Sequence, residues 1–127
     1  MEVPTVLSYN AYKLIHLIFI LLLFFSLGAY LILSRMGTLR ARRLAAITHG
    51  ISTVIILVSG FGLIAKLGIG SFESWPAWLW VKLAVWLLLA LVMAVIKRVP
   101  SLTAVLWFVI PALGALAVFM VIYKPIF

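Results

Sequence analysis

The stretch Trp75-Pro76-Ala77-Trp78-Leu79-Trp80-Val81-Lys82-Leu83 decides how this chain folds. Its proline suits a helix's first turn, where the missing N–H is not needed. An apolar run follows to Ile96 and stops at Lys97-Arg98. Three tryptophans crowd its start, the position where indole rings settle between hydrocarbon and headgroups. A run of about 20 residues at ~1.5 Å each crosses a ~30 Å hydrocarbon core. The stretch therefore opens a membrane helix, and Lys82 is an ammonium planted just inside it.

Working outward, three more runs have the same character. The spans read as residues 12–34, 44–65, 76–96 and 102–123, in a single membrane domain covering 1–127. Of the 127 residues, 68% are hydrophobic and 9% charged, with mean hydropathy +1.37. A soluble exterior cannot be built from that composition, so the solvent is lipid. Cysteine is absent, which excludes disulfides, iron–sulfur clusters and thiolate metal sites. The net charge of +8 sits at the ends of apolar runs, which points to anionic headgroups rather than nucleic acid. Residues 1–10 carry Glu2 and no basic cluster, and no Ala-x-Ala site follows the first run, so that run reads as a retained span.

Basic residues orient the spans. The loop read between spans one and two holds Arg35, Arg40, Arg42 and Arg43, and the Val99-Pro100-Ser101 turn adjoins Lys97 and Arg98. The other side has only Lys13, Lys66 and Lys124. The Arg-rich side is expected in the cytoplasm, with both termini outside, in the plasma (inner) membrane of the cell. Short connections make neighbouring spans antiparallel, giving an all-α, up-down four-helix bundle. Membrane helices associate through small residues, for which Ala46/Gly50, Ala90/Ala94 and Ser59-Gly60-Phe61-Gly62 are suited. Pro111 is expected to kink span four, Ser101 to cap its start, and Trp75, Trp78, Trp80 and Tyr123 to form an aromatic belt.

Ionisable groups inside spans are costly and require an account. Three qualify: His16, His49 and Lys82. Counted from the basic ends, His16 lies ~28 Å above Arg35 and Lys82 ~22 Å above Lys97, while His49 is only ~9 Å beyond Arg43. His16 and Lys82 thus share one half of the bundle and His49 occupies the other. A single haem held by both histidines is excluded by that offset, since its two nitrogens must lie ~4 Å apart at ~2 Å from the iron. Helical phase sets Tyr9, Tyr12, His16 and Tyr30 on one face of span one. It sets Arg42, His49, Thr53 and Gly60 on one face of span two, with Ser52 beside them, and Trp75, Trp78, Lys82, Trp86 and Met93 on one face of span three. These stripes are expected to face one another.

Each such residue also has a purely structural role available. Lys82 can snorkel to the interface, held by cation–π contact with Trp78 and Trp86. His16 can bond Tyr12 or a carbonyl. His49 can bond back to its helix or take a lipid phosphate with Arg42. No span carries a carboxylate, and no nucleophile–base set, phosphate cradle or zinc helix motif is present.

Three stretches resemble a group of small membrane proteins that includes the HemJ-type protoporphyrinogen oxidases, the CopD membrane domain and the SirB-like proteins. They are Tyr12-Lys13-Leu14-Ile15-His16 with Tyr30 and Arg35, Arg42-Arg43-Leu44 with Ser59-Gly60-Phe61-Gly62-Leu63, and Trp78-Leu79-Trp80-Val81-Lys82-Leu83. The likeness to the HemJ-type enzymes implies a haem b or porphyrin site with His16 as iron ligand and Lys82 as charge partner; Tyr12, Trp78 and Trp86, which share their helix faces, are the candidate lining. Where the HemJ-type pattern has a tyrosine–histidine pair in its third helix, this chain reads Trp86-Leu87-Leu88-Leu89-Ala90, which sets it nearer the SirB-like members.

Taken together, the residues favour a non-enzymatic membrane module, an accessory subunit of a larger complex or a homo-oligomer in the bilayer, with no catalytic residues. The alternative is a haem- or porphyrin-binding protein, which as an enzyme would be a haem-linked oxidoreductase. A pore formed by self-association is a third reading.

Overall fold

A computed structural model describes residues 8–68 and 72–123. The described chain is built from four long helices: α1 (Tyr9–Met36), α2 (Leu39–Lys66), α3 (Ala77–Arg98) and α4 (Thr103–Tyr123). Single 3-10 turns, Phe72–Ser74 and Pro100–Leu102, precede α3 and α4. All four helices are long and apolar enough to cross a membrane. The protein is thus an all-α, multi-pass membrane bundle. Four crossings bring residues 8 and 123 to the same end, opposite the turns at residues 37–38 and 99–102.

The helix boundaries explain themselves locally. Ser8 and Thr38 accept the amide hydrogens of Ala11 and Ala41, capping α1 and α2. Because Thr38 caps, Arg40, Arg42 and Arg43, expected in a loop, lie instead on the first turns of α2, which begins at Leu39 rather than 44, and Arg35 lies in the last turn of α1. Arginine is a good helix former, and its long stem lets a helical residue keep its charge at the interface. The connection shrinks to Gly37 and Thr38, with the Gly37 amide donating to Leu33 O at 2.9 Å. Pro76 stands at the N-cap of α3, with extended backbone, and the helix proper starts one residue later. The start of α4 is the 3-10 turn, tied by Thr103 Oγ1 donating to Pro100 O at 2.7 Å. Across it, Arg35 Nη2 also donates to Pro100 O at 2.9 Å, joining the end of α1 to this turn. α4 runs unbroken through Pro111.

Tight packing is concentrated toward the basic end. There Leu23, Leu27 and Leu31 of α1 meet Ile56 of α2, Leu89, Val92 and Ile96 of α3, and Leu106 and Ile110 of α4. α1 and α2 pack along their whole lengths, α3 pairs with α4, and α2 touches α3 at few points. Gly60 and Gly62 do what their small size suggests. A Cβ on Gly60 would stand 3.3 Å from the His16 ring, and one on Gly62 would collide with the ring of Tyr12. Gly114 likewise seats Phe24. Not every small residue is used for close approach: a Cβ on Gly50 meets nothing within 4 Å, and Gly50 and Ala94 are exposed. Interhelical bonds hold the α2–α3 spacing instead, leaving a groove.

The aromatic belt is only partly a lipid-facing anchor. Trp75 is buried, with its ring 4.9 Å from that of Trp80 and 6.2 Å from that of Phe61. Trp80 and Tyr123 are exposed.

Candidate functional site

His16 projects from α1 into the crevice that Gly60 leaves on α2. Its Nδ1 lies 2.9 Å from Ser59 Oγ. Ser59 has one hydroxyl hydrogen, and it is directed to the carbonyls of α2, Ile55 O at 2.7 Å and Ile56 O at 3.2 Å. With that hydrogen on a carbonyl, the hydroxyl accepts from the ring and His16 carries its proton on Nδ1. In the neutral ring this leaves a lone pair on Nε2. The sequence reading offered Tyr12 or a carbonyl as the partner. The ring's partners across the helix pair are Ser59 and the Ile56 carbonyl, so the expected carbonyl contact is made, from α2, beside a hydroxyl that was not expected. Tyr12 instead lays its ring against Gly62, one turn away.

The α2–α3 pair is registered by two bonds. Trp86 Nε1 donates to Thr53 O at 3.0 Å, and His49 Nε2 donates to Leu89 O at 3.1 Å. Thr53 Oγ1 in turn donates to His49 O at 2.7 Å. Counting up from these contacts puts Ser59 level with Trp80, so Lys82 stands only ~3 Å below the level of Ser59. Lys82 is half-buried and within electrostatic reach of His16. Trp78 lies one turn above Lys82, and Trp86 one turn below it. His16, Ser59 and Lys82 thus form one polar layer from three helices, between the Tyr12–Gly62 contact and the Trp86–Thr53 bond.

His49 belongs elsewhere. It lies ten residues from Ser59 on the same helix, or about 15 Å toward the basic end. It is 5% exposed, and its Nε2 bond crosses to α3 rather than returning to its own helix. The sequence singled out both histidines, but neither Ser59 nor the Leu89 carbonyl as their partners. Ser59 was detectable, since it precedes Gly60 and a hydroxyl beside a helical gap is well placed to meet a side chain from the next helix. The Leu89 carbonyl carries no sequence signal at all.

Among the described residues, no cluster of three or more His, Cys, Asp or Glu side chains has the geometry for a metal ion. For a haem the requirement is different, one axial nitrogen with its opposite nitrogen fixed by a donated bond. His16 has the second of these features: its Nδ1 contact with Ser59 orients the ring, as outer partners do for ligating histidines. Such a site would have a single protein ligand, because His49 is too deep to share it. Compared with protein-family models, curated proteins and solved structures, the chain shows no significant match.

Proposed function

We propose that the protein is a non-enzymatic membrane module whose intramembrane polar residues join its own helices, working as a subunit of a larger membrane complex. One observation supports this best: the expensive polar side chains are spent on interhelical bonds. His16 bonds Ser59, His49 bonds the Leu89 carbonyl and Trp86 bonds the Thr53 carbonyl. Each ties two helices that lipid would not otherwise drive together. Mild-detergent extraction from native membranes, followed by size analysis and mass spectrometry, tests the reading. A stoichiometric membrane partner is the expected result, and a chain that elutes alone under every mild condition counts against it.

A second reading rests on the His16 Nε2 lone pair standing in the same layer as Lys82. In it His16 ligates haem b or another metalloporphyrin and Lys82 meets a propionate, the roles that the resemblance to HemJ-type enzymes implies, and Tyr12, Trp78 and Trp86 flank the ring. The bound haem would supply one-electron chemistry; the chain's own residues would bind and orient it. Protein purified after expression with ample haem should then show a Soret band that is lost in His16→Ala and kept in His49→Ala. A colourless preparation removes this reading and leaves the first untouched.

A further inference from the structure

At the basic end, the sparse contact between α2 and α3 leaves a groove of about 450 Å³. Its trough is made of small side chains, Gly50, Ala90 and Ala94, with His49 and Met93 also lining it. Lys97 and Arg98 line it where α3 ends, and both are exposed. The Lys97 ammonium stands 5.9 Å from the centre of the Tyr30 ring, which holds it near the last turn of α3. By the register that joins His49 to Leu89, Arg42 of α2 stands at the level of Lys97. The one acidic side chain among the described residues, Glu73, precedes the opposite end of α3. The basic pair therefore has no carboxylate within its own described chain to neutralise it.

An apolar trough running along the helices and ending in paired cations matches an amphiphile with an anionic head. We propose that this groove binds one anionic phospholipid, its phosphate on Lys97 and Arg98 and one acyl chain over Gly50, Ala90 and Ala94. Charge complementarity selects the head, since a basic residue near an anionic lipid surface gains roughly fivefold in binding. The trough selects a lipid over a soluble anion, because a free phosphate has nothing to lay against three small apolar residues. The site is separate from the His16 layer, which lies about 15 Å further along α2.

The test uses the full chain in detergent, titrated with dioleoylphosphatidylglycerol or dioleoylphosphatidylcholine and read by native mass spectrometry. Two basic residues should give a preference for phosphatidylglycerol of about thirtyfold. The double variant Lys97→Gln/Arg98→Gln should lose that preference while still binding either lipid weakly. Gly50→Leu, whose Cβ meets nothing within 4 Å and whose side chain fills the groove, should reduce binding of both lipids without lowering the thermal melt. Equal binding of the two lipids by the unmodified chain would overturn the proposal, as would a full preference retained in the double variant. Displacement of the lipid by inorganic phosphate as readily as by phosphatidylglycerol would overturn it too, by making the site one for a free anion. If the double variant does not fold, the comparison between the unmodified chain and Gly50→Leu still decides the matter.

Discussion

Ser52→Ala and Ser59→Ala delete the same atom from nearly the same face of α2, two turns apart, yet they should change stability in opposite directions. Ser52 is 1% exposed, and its Oγ has no hydrogen-bond partner among the described residues. A buried hydroxyl without a partner costs about 1–3 kcal/mol, so its removal should stabilise the bundle by about 1 kcal/mol. Ser59 is equally buried but accepts the His16 Nδ1–H at 2.9 Å. Interhelical bonds of this kind average about 0.6 kcal/mol in membranes and reach about 1.7. Losing the acceptor should therefore destabilise by about 1 kcal/mol, placing the two variants about 2 kcal/mol apart. Reversible unfolding in mixed dodecylmaltoside and dodecyl sulfate micelles, followed by tryptophan fluorescence, measures both. A double-mutant cycle with His16→Phe should recover a coupling of about 0.6–1.7 kcal/mol for Ser59 and none for Ser52. Nitrogen chemical shifts of His16 should report the Nδ1–H tautomer in the unmodified chain. Effects of the same sign, or no coupling between positions 16 and 59, would refute the assignment of Ser59 as the acceptor.

The glycines of α2 give a second pair of contrasts. Gly62→Ala would drive a Cβ into the ring of Tyr12 and should cost roughly 1–3 kcal/mol, as overpacking does, with part restored by Tyr12→Ala. Gly50→Ala meets open space and should gain up to about 1 kcal/mol from helix propensity, in the same unfolding assay. For orientation, single cysteines introduced into this cysteine-free chain at the exposed positions Met36, Leu67 and Val99 can be labelled with an impermeant thiol reagent in intact cells. Position 67 should label directly, and positions 36 and 99 only after permeabilisation; the reverse pattern would overturn the orientation read from the basic residues.

Much of the arrangement is legible before any coordinates. Depth counting placed His16 with Lys82 and apart from His49, and the structure puts those residues in the same two layers. That worked because membrane helices rise at a constant increment and their ends are marked by charge. Counting cannot say where a helix begins when basic residues are compatible with both loop and helix, so Arg40, Arg42 and Arg43 were assigned to a loop that Thr38 caps out of existence. Small residues mark a close approach at Gly60 and Gly62 and an open groove at Gly50, Ala90 and Ala94. The pattern is the same in both cases; what differs is whether a side chain from the neighbouring helix comes to fill the gap.

The sequence by itself determined that four helices cross the membrane, that neighbours run antiparallel, and which residues share a depth. Those properties follow from hydropathy, run length and the fixed rise of a helix, all of which are local. Only the tertiary structure decided that His16 meets Ser59, that His49 and Trp86 bond carbonyls across the α2–α3 interface, and that the same interface opens into a groove at its basic end. Those contacts depend on the rotation of each helix about its axis and on the spacing between axes. Lipid is as apolar as the helix surfaces, so hydrophobicity does not select among rotations, and a few polar bonds and close-packed glycines make the choice.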